Sequence, residues 1–223
     1  MASFTLTQLR DQVRRLGHYE NSTAFTSAFL NEWINKGLEE YHEVVADSFE
    51  GYLDKVDASL VTVSGTQTVA LPSDFYRLRA LDKQLGTYEH VPLRHLSLLD
   101  SYRFQGQGSP AGYMLFGGTT NALPGRIRLF PVPDAVYTLR LTYVPTFTAL
   151  VSDADTATFL PNGDEFVVYA ALVHLDERDE RNPAVRMQQR DAAKARLVGA
   201  AARRDSGEPE YLIPRHGYTS EED

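Results

Sequence analysis

The chain has 223 residues, of which 43% are hydrophobic and 23% charged, and this composition is typical of a globular protein with a sizeable core. It contains no cysteine, which excludes disulfides, thiolate catalysis and thiolate metal sites. The net charge is −8, from 22 basic and 30 acidic residues. The protein as a whole is therefore a poor general binder of nucleic acid, because neutralising phosphates requires a basic surface.

The first quarter of the chain predicts two amphipathic helices. Thr5 and Gln8 have the spacing of a capping box, and apolar residues follow at helical intervals over residues 5–16. A second helix is predicted from about Thr26 to Asp47. Its apolar stripe comprises Phe29, Leu30, Trp33, Ile34, Leu38, Tyr41 and Val45. Because Trp33 lies in register with this stripe, we predict that it is a core residue.

The middle of the chain predicts strands. Residues 58–71 have a strand-like pattern on both sides of Ser64–Gly65, which predicts a small hairpin. Residues 76–81 again show side chains alternating between two faces of a strand. Ser97 to Phe104 predicts a short helix. The clearest alternation lies in residues 126–143, where prolines and an aspartate separate two runs and predict a second hairpin with one face on a core. The apolar residues of these runs are Ile127, Leu129, Tyr137, Leu139, Leu141 and Tyr143.

Two more helices are predicted after a long connection over residues 146–164. Residues 166–173 are apolar on every face, which predicts burial between other helices, and the run is far too short to span a membrane. Asn182–Pro183 predicts the start of a last helix that ends near Arg204. This helix is rich in alanine, so we expect a neighbour to approach it closely.

The order helix, helix, strands, helix, helix predicts an α+β fold. We expect the helices of residues 1–55 and 148–204 to form one bundle, with an antiparallel β-lobe of residues 56–147 inserted between them. We expect residues 205–223 to form an extended C-terminal tail. No apolar segment with the pattern of a signal peptide is seen near the N-terminus, so none is expected.

Patterns that indicate catalysis or metal binding are weak. His90 and His95 are a faint zinc pattern, and His174 is predicted to be a histidine at the core boundary rather than a general base. Asp153 and Asp155 resemble the start of a calcium loop, but the glycine and distal glutamate of that loop are missing, which favours a polar turn. No GxSxG, P-loop or GxGxxG motif is present. We therefore predict no enzyme, no metal and no cofactor.

Five arginines fall on predicted strands at positions opposite the apolar set. They are Arg77, Arg79, Arg126, Arg128 and Arg140. One interpretation is a solvated face. The other is a basic interface face that meets an acidic partner surface.

Five stretches across residues 5–200 match one known family of proteins in their order and approximate spacing. They are LRDQVRRLG, FTSAFLNEWINKGLEEY, LPSDFYRLRALD, RLTYVPTFTALVSDADTATFLP and DEFVVYAALVHLDERDERNP. Taken together they resemble the head-to-tail adaptor, or connector, proteins of tailed bacteriophages. The resemblance implies a structural protein of the virion neck, made in the host cytoplasm, that needs no membrane. It also implies a ring, usually of twelve copies, with the portal above it, tail or nozzle proteins below it, and DNA passing through the lumen.

The C-terminal residues 205–223 lack periodicity and carry six acidic residues against Arg215. Such a composition alone is typical of a disordered tail. The resemblance implies that such segments reach onto the portal, so we expect the portal or a neighbouring copy to order this one. The docking residues would be Tyr211, Leu212, Ile213, Pro214 and Arg215. The alternative is that the tail folds back on its own subunit.

Two other functional classes stay open. A small hydrolase would need a nucleophile, a base and an orienting acid, and such a triad is assembled in space and leaves no obligatory motif. A nucleic-acid-binding module is disfavoured by the net charge of −8.

Overall fold

A computed structural model describes residues 2–20, 22, 24–87, 89–104, 106–117 and 125–204. These residues form helices and predominantly antiparallel sheets, which confirms the α+β class. The tail of residues 205–223, with its predicted docking residues, lies outside the described residues.

The described part of the chain contains five helices. They are α1 (Leu6–Gly17), α2 (Ser27–Ser48), α3 (Leu98–Ser101), α4 (Gly163–Arg178) and α5 (Ala184–Arg204). The capping box of α1 is present, since Thr5 Oγ1 accepts from the N–H of Gln8 at 3.2 Å and Gln8 Oε1 accepts from the N–H of Thr5 at 2.8 Å. Thr26 caps α2 through a single bond, in which its Oγ1 accepts from the N–H of Phe29 at 3.3 Å. Local sequence therefore sets where both N-terminal helices begin.

Most strands belong to two four-stranded sheets. The first has the order β2 (Lys55–Val61), β11 (Thr138–Pro145), β4 (Phe75–Gln84) and β5 (His90–Pro92). The second has the order β3 (Thr68–Ala70), β9 (Arg126–Phe130), β8 (Gly112–Phe116) and β6 (Arg94–His95). Two smaller pairs are β1 (Ala2–Thr5) with β12 (Thr156–Phe159), and β7 (Gln107–Gly108) with β10 (Val132–Pro133).

Both predicted hairpins are wrong. The two segments 58–61 and 68–70 lie in different sheets, because β2 pairs with β11 whereas β3 pairs with β9. Residues 55–70 thus run antiparallel to residues 126–145. Both segments pass from one sheet to the other, side by side. The buried hydroxyl of Thr62 holds this crossing by donating to the carbonyl of Ala135 at 2.9 Å and accepting from the N–H of Tyr137 at 2.8 Å.

Two separate hydrophobic cores result. The helical core joins α1, α2, α4 and α5, and its fully buried members include Leu6, Leu9, Leu30, Ile34, Phe166 and Leu172. The sheet core lies among the strands and includes Leu81, Ile127, Leu129, Leu139, Leu141 and Tyr143. α4 is buried on nearly all sides, as predicted, because α1, α2 and α5 all pack against it.

α2 and α4 approach each other closely at Gly37, where an added Cβ would stand 2.8 Å from the carbonyl oxygen of Val167 and 3.4 Å from Ala170 Cβ. On α5, Ala193 and Leu197 are buried, but several of its alanines are exposed. The exposed alanines of α5 contribute helix propensity, whereas Ala193 packs in the helical core.

Trp33 is only partly buried and packs at the edge of the helical core, which corrects its predicted place inside it. Lys36 Nζ lies 4.1 Å from the centroid of the indole ring, and His174 stacks on the ring at 5.7 Å. The apolar stripe of α2 is wider than the surface that α4 covers, so Trp33 lies at the margin of the contact.

The connection over residues 146–164 contains a strand that the sequence did not predict. β12 pairs with β1, and the N–H of Leu6 donates to the carbonyl of Asp155 at 2.9 Å. Four residues of mixed polarity are too short to give a period-two signal. The pair fastens the N-terminus to the segment that leads into α4.

Candidate assembly surfaces

The described residues offer no cluster of metal ligands. No group of three or more His, Asp or Glu side chains in them is arranged to hold a metal ion. His90 lies on β5 and His95 on β6, in different sheets, and the ring of His95 packs edge-on against Tyr113. Within the same part of the chain, no helix has the length and apolarity to cross a membrane.

Residues 151–155 form a polar turn, as predicted. Asp155 Oδ2 accepts from the N–H groups of Val151 at 2.8 Å and Ser152 at 2.7 Å, and these bonds hold the pKa of Asp155 below its usual range. Asp153 Oδ1 accepts from Arg10 Nη2 at 2.5 Å. Both carboxylates are thus engaged by the protein itself.

His174 lies on α4 at the margin of the helical core. Its Nε2 is 2.6 Å from Glu40 Oε1 on α2, and its Nδ1 is 3.8 Å from Glu177 Oε2. The hydrogen bond to His174 lowers the pKa of Glu40. Trp33 of α2 also stacks on the imidazole ring, so these contacts hold α4 against α2. None of the side chains named here as contacting the imidazole is a nucleophile.

A buried carboxylate joins three elements, and no sequence pattern indicated it. Asp176 of α4 is 3% exposed; its Oδ2 accepts from Arg186 Nε at 2.7 Å and its Oδ1 from the hydroxyl of Tyr19 at 3.2 Å. Arg181 Nη1 donates to the same hydroxyl at 3.2 Å. Burial and the nearby Asp176 raise the pKa of Tyr19. Because its charge is paired, this network holds α5 against the α1–α2 connection rather than offering a reactive group.

The five arginines do not share one sheet face. Arg77 and Arg79 lie on β4 and Arg140 on β11, all in the first sheet, whereas Arg126 and Arg128 lie on β9 in the second. The interpretation of the five arginines as one basic interface face therefore has its members divided between two sheets.

Arg77 and Arg79 contact the C-terminal end of α2. Arg77 Nη1 donates to Asp47, and Arg79 donates through Nη2 to the carbonyl of Ala46 and through Nε to Asp54 at 3.3 Å. The side chain of Arg79 is mostly buried, and through these bonds the two arginines link the first sheet to the helices. Arg140 stands opposite Asp82 in the neighbouring strand.

Arg126 and Arg128 remain on an open surface. They alternate along β9 with Ile127 and Leu129 of the sheet core, so they project to the other face of the second sheet. Arg128 Nε donates to Gln67 Oε1 at 2.8 Å, and its guanidinium lies 5.4 Å from the ring of Phe130.

Next to Arg128 lies an exposed apolar surface around α3, which we call the α3 patch. Its members are Leu98, Leu99, Tyr102 and Phe104, with exposures of 61%, 79%, 63% and 36%. Three of them, with Gln67, Arg128, Phe130 and Val132, line a cleft of about 300 Å³. The signal in the sequence was the run LSLLDSYRF, which places apolar residues on a helix of four residues that has too little surface to bury them.

A family model described as SU10 adaptor protein matches residues 4–211. The match covers every helix and strand named above except the first two residues of β1. No curated protein matches the chain significantly.

Proposed function

Because the chain belongs to the SU10 adaptor protein family, we propose that it is a head-to-tail adaptor of a tailed bacteriophage, a structural protein that joins the portal to the tail. The observation that carries this proposal is the family match over residues 4–211, which includes both hydrophobic cores. The site geometry agrees, since the buried polar groups described above join elements of the subunit to one another. A hydrolase or a nucleic-acid-binding module has no comparable support in the described residues.

The proposed assembly is a closed ring of about twelve copies at the virion neck. A head-to-tail ring needs two unlike surfaces on each copy, one meeting the other across every junction. The α3 patch supports one of these surfaces, because Leu98, Leu99 and Tyr102 are each more than half exposed. The acidic character of the chain suits a lumen that DNA passes through without being bound tightly.

In this proposal the subunit has three working parts. Residues 1–55 and 148–204 are the helical bundle, residues 56–147 are the inserted β-lobe, and residues 205–223 are a docking tail. The tail attaches through Tyr211 to Arg215 to the portal or to a neighbouring copy, and tail or nozzle proteins bind the opposite side of the ring. Arg126 and Arg128 would belong to an interface, since Arg77 and Arg79 are engaged within the subunit.

The proposal is tested by the mass of the purified protein alone and with a portal, together with electron microscopy of the neck. We expect a complex in which about twelve copies sit on one portal ring, and a ring of density at the neck of the particle. A protein that stays monomeric with portal present and binds none of it would contradict the proposal. A monomer that assembles only on the portal agrees with it.

A further inference from the structure

We propose that the α3 patch receives the acidic C-terminal segment, residues 205–223, of a neighbouring copy of the same chain. This inference rests on the proposed ring, which brings copies side by side. It goes beyond the ring in naming the two surfaces that meet.

The first argument is the exposed apolar area. Leu98, Leu99 and Tyr102 are each more than half exposed, although they are adjacent on one short helix and its end. A cluster of exposed apolar side chains of this kind marks an interaction site. The helix itself is well formed, since Ser97 caps it by accepting from the N–H of Asp100 at 3.2 Å. The patch is thus a fixed surface presented to a partner.

The second argument is the cleft beside the patch. Its volume of about 300 Å³ is at the lower end of the range of ligand pockets, which suits one or two large side chains better than a cofactor. Phe130 and Val132 supply apolar walls, while Gln67 and Arg128 supply polar groups at the edge. An extended segment that inserts an aliphatic or aromatic side chain here would also bring its backbone close to Arg128.

The third argument is charge. Residues 56–147 hold eight basic and six acidic residues, whereas residues 205–223 hold one basic and six acidic residues. At the patch, Arg103 is largely exposed and lies 4.0 Å from Asp100. Asp100 is the carboxylate of α3, and Ser97 Oγ donates to it at 2.7 Å. With Arg128 on the other side, the surface is apolar with arginines at its margin, which complements a segment that is apolar and acidic.

The fourth argument is the sequence of the segment. Tyr211, Leu212 and Ile213 are three consecutive large apolar residues between Pro209 and Pro214. The two prolines restrict the free chain and so reduce the entropy lost when it docks in an extended form. Nineteen residues reach at most about 65 Å, far more than the radius of gyration of about 17 Å expected for 223 residues. The segment can therefore reach a neighbouring copy.

The experiment uses the absence of cysteine from the full-length chain. A double variant, Leu99→Cys with Leu212→Cys, is oxidised under mild conditions and run on a non-reducing gel. Docking on a neighbour predicts a ladder of covalent oligomers. It should form at least about tenfold faster than in the control, since docking holds the two thiols at millimolar effective concentration. The matched control is Val151→Cys with Leu212→Cys, because Val151 is 82% exposed and lies outside the patch.

Charge provides a second readout. Adding Arg103→Glu and Arg128→Glu to the double variant should slow the cross-linking, as should high salt. Adding Arg15→Glu, at an exposed position of α1, should not. A disulfide that forms within one chain would overturn docking on a neighbour. Cross-linking no faster than in the control would overturn docking on the patch. Ring assembly and portal binding are measured on the same variant after reduction. If rings form but no ladder of covalent oligomers appears on oxidation, this inference alone is contradicted. If the unmodified protein forms no ring and binds no portal, the proposed function is contradicted.

Discussion

The hydroxyl of Tyr41 accepts a hydrogen bond from the backbone N–H of Leu160 at 2.8 Å, and this bond joins the middle of α2 to the turn that begins α4. The ring of Tyr41 packs edge-on against Phe159 at 5.3 Å. A Cβ added to Gly163, the first residue of α4, would stand 2.6 Å from the same ring. One side chain thus fixes where the strand β12 ends and how α4 enters the helical core.

Tyr41→Phe should lower the free energy of unfolding by about 1–3 kcal/mol, because the buried N–H of Leu160 loses its acceptor. Urea denaturation of both proteins measures the difference. Tyr102→Phe is the matched control: its side chain is 63% exposed, and we expect a change of no more than about 0.5 kcal/mol. Equal stabilities for Tyr41→Phe and the unmodified protein would show that water replaces the hydroxyl at no cost.

The stability of the fold should fall at alkaline pH. Burial raises the pKa of Tyr41 to about 12 from 10.0, so its contribution is complete below about pH 10 and is lost as the pH rises through 12. The pKa of Tyr143 is also raised to about 12. The fall in the free energy of unfolding over this interval should therefore be smaller in Tyr41→Phe, as measured by denaturation at several pH values. An identical fall in both proteins would contradict the assignment to Tyr41.

Gly37→Ala should destabilise the protein by about 1–3 kcal/mol, because its methyl group meets the carbonyl oxygen of Val167 and forces α2 and α4 apart. Gly199→Ala on α5 is the control, since an added Cβ meets nothing within 4 Å there. That change should be neutral or stabilising by up to about 1 kcal/mol through helix propensity. Thermal melts of the two variants measure the contrast, and a stabilised Gly37→Ala would contradict the close approach.

Glu40→Gln should lower the free energy of unfolding more at neutral than at acidic pH. The bond to His174 lowers the pKa of Glu40 below 4.5, so its contribution is present above about pH 4.5 and is lost as the pH falls through the lower folded-state pKa. The stability difference from the unmodified protein should shrink across that window. Glu39→Gln, on the exposed face of α2, should differ by less than about 0.5 kcal/mol throughout. A pH-independent difference for Glu40→Gln would contradict the hydrogen bond between the Glu40 carboxylate and His174 as its cause.

Deletion of residues 206–223 should leave the melting temperature unchanged but abolish portal attachment or ring assembly. The reason is that the described members of the helical core and the sheet core all lie within residues 4–197, which the deletion retains. A full-length variant with Tyr211→Ser, Leu212→Ser and Ile213→Ser keeps the length and charge and should behave like the deletion. Normal assembly on the portal would show that the tail is not the docking element, whereas unfolding of the truncated protein would place it in the subunit's own core.

Local signals in the sequence set the starts of the N-terminal helices and the inward face of β11, but not that of β4, where Leu81 is buried and Tyr76 is exposed. Thr5 and Thr26 cap α1 and α2 where their positions predicted, and Leu139, Leu141 and Tyr143 face the sheet core as their alternation predicted. These features depend on residues within a few positions of one another. Capping bonds and period-two alternation are local, so one sequence without its fold is enough to determine them.

The partners of the strands, the margins of the helical core and the exposed surfaces were decided only by the tertiary structure. Alternation in residues 126–143 says which side chains point inward, but the same pattern suits a hairpin or two strands of different sheets. Thr62 is buried where the chain passes from the first sheet to the second. Its bonds to residues more than seventy positions away favour two strands of different sheets over a hairpin. The same holds for Arg77 and Arg128, which occupy equivalent positions in their patterns. Long-range packing places Arg77 against α2 and Arg128 beside the α3 patch. Burial depends on which surfaces meet in the fold, and the sequence pattern of a single strand does not contain that information.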